Sequence, residues 1–336
     1  MVRENDKVVR KGEDMPENAR TDLVDAVRLE LGGRGIGRAI VLGDAQDPAY
    51  QVLARDLARW GIMVLTPPPA LREQLDLLVA EGCLSEEGRA SFQAVLRDGV
   101  EHGVGAIVTC GALLADYVEA LGLGVLVLDA DALSRGFAPV RTVVFDMGGV
   151  LLKWDPLVYA RAACDDEEDA QLLSEAVFGS QEWAWQDAGA VGEDTVAWTS
   201  KARVPKRLHA AVDQLVYHWH DARAFMPQTG ELVRELKAAG FGVYLLSNAG
   251  ESFVKYCEQI PAFDCFDGVV VSYAEHVVKP DARIYRALLD RYGLDASTCL
   301  FVDDVEKNVE GARRVGMRGW RFDGDVARLR RALLGR

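Results

Sequence analysis

None of the six cysteines (Cys83, Cys110, Cys164, Cys257, Cys265 and Cys299) belongs to a CxxC pair. The chain therefore lacks both a zinc-type ligand spacing and a disulfide framework, and reduced cytoplasmic thiols are the expectation. Long apolar runs are missing too: none approaches the roughly 20 residues a membrane helix needs. Positive charge is scarce, with 38 Lys and Arg against 52 Asp and Glu, a formal net charge of −14. That argues against nonspecific nucleic-acid binding, which needs a basic face. The opening "MVRENDKVVRKGEDMPENAR" has no apolar core to make it a secretory signal, so residues 1–20 are expected to form a flexible tail.

What remains is a soluble globular composition, 49% hydrophobic and 27% charged, over 336 residues, enough for two domains with separate cores. From residue 21 to 135, strand-like runs ("RAIVLGD", "IMVLTP", "AIVTC", "VLVLD") alternate with helical ones ("PAYQVLARDLARWG", "ALREQLDLLVAEG", "SEEGRASFQAVLRDGVEHG", "ALLADYVEALG"). Ser85 followed by Glu87 is a helix-start pattern. Such alternation predicts a parallel α/β sheet covered on both faces. "GGRGIGRAI" looks like a dinucleotide-binding turn, but it follows a helical pattern and precedes a strand, the reverse of the order that turn requires. A helix stop is the expectation there.

After a linker at 132–139, a second domain is expected over 140–336, with a helical insertion at about 155–226 after its first strand. In an open parallel sheet, ligands bind at the carboxyl ends of the strands. Four elements fall at such ends: Asp146, Ser247–Asn248, Lys279 and Asp303–Asp304. Each suits phosphoryl transfer. A carboxylate such as Asp146 can attack phosphorus and split one difficult step into two. Ser247 and the backbone N–H groups that follow Asp146 and Ser247, those of Met147, Gly148 and Asn248, can donate to the equatorial oxygens. Lys279 offsets charge, and Asp303 and Asp304 with Asp146 offer the hard oxygen ligands Mg²⁺ prefers.

The segments "VVFDMGGVL", "VYLLSNAG", "VVKPDARIYRALL" and "LFVDDVEKNVEGARRVGM" resemble the haloacid dehalogenase superfamily over residues 140–325. The insertion "GSQEWAWQDAGAVGEDTVA" looks like the small helical cap of the branch containing α-D-glucose-1-phosphate phosphatase. The resemblance implies a Rossmann-like core, a mobile cap and Mg²⁺-dependent phosphatase activity. Asp146, Ser247 and Lys279 would be catalytic, with Met147, Gly148 and Asn248 joining them around the phosphate. Asp146, Gly148, Asp303 and Asp304 would serve the metal. Most phosphatases of this kind carry a second Asp where this chain has Gly148, as the acid/base. A positioned acid/base contributes about 10²–10⁴-fold, so its absence suits a good leaving group, as in anomeric sugar or acyl phosphates. In the cap, Trp183 and Trp185 could stack on a sugar, with Glu182 and Asp187 bonding hydroxyls; the alternative is that the tryptophans fill the cap core.

The stretch from "LTPPPALREQ" to "VLVLDADAL" is similar to one lobe of the aspartate/glutamate racemases, with Cys110 at the position of a proton-exchanging cysteine. One thiol cannot work both faces of a substrate. A scaffold, dimerisation or ligand-sensing role, with an inert Cys110, is therefore expected. The main expectation is a cytoplasmic phosphatase of a small phosphorylated metabolite, with a homodimer allowed. The alternatives are a regulatory binding protein built from two retired enzyme folds, or a bifunctional protein with racemase-like chemistry at Cys110.

Overall fold

The computed structural model describes residues 17–43, 48–59, 62–65, 86–110, 112–135 and 137–335, and the chain divides into two compact units, one up to Leu31 and over Ile36–Phe137, the other over Gly32–Gly35 and from Ala138 onwards. In the first unit β1 (Arg38–Leu42), β2 (Met63–Leu65), β3 (Ala106–Thr109) and β4 (Leu126–Asp129) form a parallel sheet of order β2-β1-β3-β4. Successive side chains of a strand point to opposite faces. Ala39 and Val41 of β1 and Ala106 and Val108 of β3 accordingly join one apolar cluster with Leu23, Val27, Leu53 and Leu57. Ile40, Leu42 and Ile107 join another with Phe92, Leu96 and Val118. Helices Glu17–Gly33 and Pro48–Arg59 supply the first cluster, Glu86–Glu101 and Ala112–Ala120 the second. Strands buried on both faces read as continuous apolar runs, which is why these stretches were legible.

Residues 17–20, expected in the tail, form the first turn of helix Glu17–Gly33, which ends at the "GG" of the decoy turn. The expected helix over "ALREQLDLLVAEG" and its neighbour's Ser85 start lie outside the described residues.

The second unit is built on β5 (Thr142–Phe145), β6 (Gly242–Ser247), β7 (Gly268–Val271), β8 (Cys299–Asp303) and β9 (Arg318–Arg321), all parallel in the order β7-β6-β5-β8-β9. All four residues of β5 are buried. The chain leaves β5 towards β6 and β7, then returns to its other side for β8 and β9, so the strand order reverses at β5. Crevices at such a reversal are the usual ligand sites. Val144, Leu246 and Phe301 pack beneath helix Ala282–Tyr292 through Ile284, Tyr285 and Leu288. Each fully buried side chain of this size contributes about 1.5–3 kcal/mol.

Between β5 and β6 the helical insertion contributes five helices, Pro156–Ala163, Glu167–Val177, Gln181–Asp187, Glu193–Arg203 and His209–His218. Their starts are chemically marked. Asp155 accepts from Leu157 and Val158 N–H ahead of Pro156, Asp166 from Asp169, and Ser180 from Trp183. The two connections to the core run side by side, with Lys153 N–H donating to the Ala224 carbonyl and Met226 N–H to that of Leu151. No helix among the described residues is long and apolar enough to cross a membrane.

Candidate active site

Asp146 is the first residue beyond β5, and its N–H donates to the Val302 carbonyl at 2.9 Å, which sets it beside the end of β8. The chain turns at once through Gly149, whose φ of +72° and close approach to the Asp304 carboxylate leave no room for a Cβ. Gly148 differs. A Cβ there would meet only the Trp154 side chain, at 3.6 and 3.8 Å, which is ordinary contact. The missing carboxylate at 148 is therefore not imposed by lack of space at Cβ.

The floor is a buried ionic cluster. Lys279 Nζ lies 2.7 Å from Asp146 Oδ1 and 2.7 Å from Asp303 Oδ2, and these side chains are 1%, 9% and 0% exposed. Asp303 is fixed further by Val305 N–H at 2.8 Å and by Asn308 Nδ2 at 3.1 Å to each oxygen. Burial pulls Lys279 down, but the two carboxylates outweigh it and hold the ammonium above its ordinary value. Burial pushes the Asp146 carboxyl up; Lys279 pulls it back and the charge of Asp303 adds to the rise. Asp304 is also raised, by burial and then by Asp303. Carboxylate oxygens of Asp146, Asp303 and Asp304 lie within 4.8 Å of one another. Three carboxylates facing one ammonium leave a surplus of buried negative charge, which a hard divalent cation would neutralise. Asn308 Oδ1, buried beside them without a hydrogen-bond partner, is a further oxygen open to such an ion or its water.

Ser247 ends β6 at 1% exposure and lines the same cavity of about 280 Å³, as do Met147, Gly148, Asn248 and Lys279. Asn248, expected at the phosphate, uses both ends of its carboxamide on the Lys279 backbone: Oδ1 accepts from Lys279 N–H at 2.8 Å and Nδ2 donates to its carbonyl at 3.2 Å. It thereby positions the lysine.

The other wall is aromatic: Trp154, Phe178, Trp183 and Trp219, with Tyr256 from the core. The rings pack edge-on or tilted, with Trp154 5.2 Å from Trp219 and 5.6 Å from Phe178, and Phe178 4.7 Å from Trp183. Trp183 is both cap core, at 7% exposure, and pocket wall. Two expectations need correction. Trp185 is 47% exposed and does not line the pocket, and Glu182 pairs with Arg203 at 2.8 Å. Helical geometry is the reason: residues two apart face away from each other, whereas Trp183, Gln186 and Asp187, at i, i+3 and i+4, share a face. That rule would have found Gln186, which the sequence reading passed over. Asp187 does reach the cavity. Burial pushes its carboxyl to about 7, against the pull of Lys279 and of the nearby Gly250 N–H.

In the first unit Cys110 follows β3, half-buried and packed against the first apolar cluster, with its N–H on the Leu42 carbonyl at 3.0 Å.

The family model for haloacid dehalogenase-like hydrolases matches residues 140–316. The sesquiterpene phosphatase astK of Aspergillus oryzae is 28% identical over 198 residues, 56% of this chain and 92% of that protein. A phosphatase of Mycobacterium tuberculosis is 30% identical over 197 residues, 55% of this chain and 88% of its own. Among solved structures, a haloacid dehalogenase family enzyme of Bacteroides thetaiotaomicron overlays with a TM-score of 0.44 at 20% identity, covering 54% of this chain and 92% of that one.

Proposed function

The chain belongs to the haloacid dehalogenase-like hydrolases, and from that premise we propose that it is a Mg²⁺-dependent phosphatase of a small phosphorylated metabolite. The observation that carries the reading is the Lys279 ammonium held 2.7 Å from both Asp146 and Asp303, beside Asp304, on the floor of the cavity.

Asp146 attacks phosphorus and the bond to the leaving oxygen breaks, giving an aspartyl phosphate that water then hydrolyses. Ser247 Oγ and the N–H groups of Met147 and Gly148 donate to the phosphoryl oxygens, and Lys279 balances the charge that spreads over them. Asp146, Asp303 and Asp304 would hold Mg²⁺, with Gly148 alongside; the ion supplies charge neutralisation that lets two anions approach. The acidic trio favours a phosphatase over a dehalogenase, whose reaction needs no metal.

For the substrate, the resemblance of the cap to the glucose-1-phosphate phosphatase branch supports an anomeric sugar phosphate, its ring against Trp154 or Trp183 and its hydroxyls on Gln186. A second reading takes the aromatic wall as a seat for an apolar skeleton, as the name of astK suggests for that protein. For the first unit we propose a racemase-lobe-like scaffold, serving dimerisation or ligand sensing, in a cytoplasmic protein.

The test is phosphate release from sugar, acyl, nucleotide and prenyl phosphates with and without Mg²⁺, beside Asp146→Asn. Metal-dependent turnover lost in the variant supports the proposal. Folded protein that is silent throughout and indifferent to millimolar Mg²⁺ favours the regulatory binding role instead.

A further inference from the structure

We propose that Asp187, delivered by the cap, is the acid and base of the reaction that Gly148 cannot supply; the inference rests on the phosphatase reading above. Position 148 leaves the pocket without a proton donor beside the nucleophile. Among the described residues lining the cavity, few groups can fill that role. Asp146 is the nucleophile, and Asp304 belongs to the metal cluster. Lys279 is held charged between two carboxylates, and burial carries the Tyr256 hydroxyl well above its ordinary range. Lys307 sits exposed at the rim. Asp187 remains.

Its placement is built rather than incidental. The Ser272 hydroxyl donates to its main-chain carbonyl at 2.5 Å, and Asp187 lines the cavity together with Asp146 and Lys279. Gly250 allows the close approach: a Cβ there would stand 2.6 Å from Gln186 Nε2. Lys279 and Tyr256 are the charged and titratable groups coupled to Asp187 across the pocket. Helix Ser272–Glu275, packed against it, carries Tyr273 and Glu275, the latter paired with Arg291 at 2.6 Å, and is followed by His276 beside Gly189. With burial holding the carboxyl near 7, it is populated in both protonation states at neutral pH, as an acid that later acts as base must be.

In the first step an Asp146 oxygen forms a bond to phosphorus, the phosphorus–alkoxide bond breaks, and the leaving oxygen takes the Asp187 proton. In the second, the Asp187 carboxylate takes a proton from water, the water oxygen bonds to phosphorus, and the phosphorus–Asp146 bond breaks. Protons, bonds and charges return to their starting state.

Asp187→Asn keeps nearly the same shape but cannot shuttle a proton. The experiment measures kcat/KM and its pH profile, with Mg²⁺, for alkyl phosphates and for aryl phosphates of graded leaving-group acidity, in wild type, Asp187→Asn and Asp146→Asn. We expect Asp187→Asn to lose about 10²–10⁴-fold on alkyl phosphates, far less on nitrophenyl phosphate, and to lose the pH limb near 7. Equal loss on every leaving group, or no loss on any, overturns the role of Asp187. Full activity of Asp146→Asn would instead sink the phosphatase reading itself. Asp187→Ser, smaller and still polar, guards against a folding defect in the first variant and is expected to show the same leaving-group pattern.

Discussion

The two units are variations on one architecture whose described residues differ at the carboxyl ends of their strands. Both are parallel sheets with central strands buried on both faces, β3 in the first and β5 and β8 in the second. At the end of β4 in the first, Asp129 caps the next helix, its Oδ1 accepting from Ala132 N–H at 3.3 Å. Between β1 and β3, Gly43 lies so near that a Cβ would stand 3.1 Å from Tyr50 and 3.2 Å from Cys110, an apolar filling. In the second unit Asp303 also accepts from the following turn, through Val305 N–H, but it shares Lys279 with Asp146. A carboxylate at a strand end is thus a cap in one unit and part of a charged cluster in the other. What separates them is a buried counter-charge that the cap role does not need. Fold alone does not carry function; the site grafted on it does.

The largest test of that contrast is Asp146→Asn, which should reduce phosphate release to background while leaving the fold intact. Lys279→Met breaks the comparison from the other side. Removing the ammonium strands two buried carboxylates, and losing one partner of a buried pair costs about 3–5 kcal/mol. Thermal unfolding should show that loss at neutral pH, together with inactivity. Mg²⁺ should raise the melting temperature of the wild type, by an amount that follows ligand linkage, about 2.7 kcal/mol at a hundredfold excess over Kd. Asp146→Asn should blunt that response.

Next in size is the cap. Trp183→Ala empties a buried site in the pocket wall, and such truncations cost about 3–5 kcal/mol. Trp185→Ala, two residues away on the exposed face, should stay within about 0.5 kcal/mol. Equal effects in paired denaturation curves would mean that the helix Gln181–Asp187 does not present the face seen here.

pH separates Asp187 from the surface acids. Its carboxyl, ordinarily near 3.8, is raised to about 7 in the folded chain. The folded state therefore binds the proton more tightly than the unfolded one, and this group's contribution to stability is full below pH 3.8 and lost as pH rises towards 7. Asp187→Asn should flatten the fall in melting temperature across that window. An unchanged slope would show that the carboxyl is not held in the environment described.

How much of this was legible follows from where each signal lies. Asp146, Ser247, Lys279 and Asp303–Asp304 each end a short apolar run or open a turn, so local pattern placed them at one sheet edge. Trp154, Phe178, Trp219 and Tyr256 meet at the pocket only because the cap folds back on the core, and no local period announces a contact of that range. Glu182 and Trp185 were misplaced because they were grouped by nearness in sequence, although each helical residue turns about 100°. Asn308 carries a fainter signal, one turn beyond Asp303 on the helix that starts at Glu306.

The smallest expected effect is the sharpest on the first unit. Cys110 packs against the cluster that includes Val41 and Val108, half-buried at a strand end. Removing one thiol from such a place should cost only on the order of 1 kcal/mol. Cys110→Ser should accordingly leave Mg²⁺-dependent phosphate release unchanged and lower the melting temperature slightly. The same variant decides between scaffold and enzyme for this unit. If wild-type protein exchanges the α-proton of an amino acid into D₂O and Cys110→Ser does not, the strand ends of the two sheets are both reactive and the contrast drawn between them falls. If neither exchanges, Cys110 is inert, and reactive strand ends are found in the second sheet alone among the described residues.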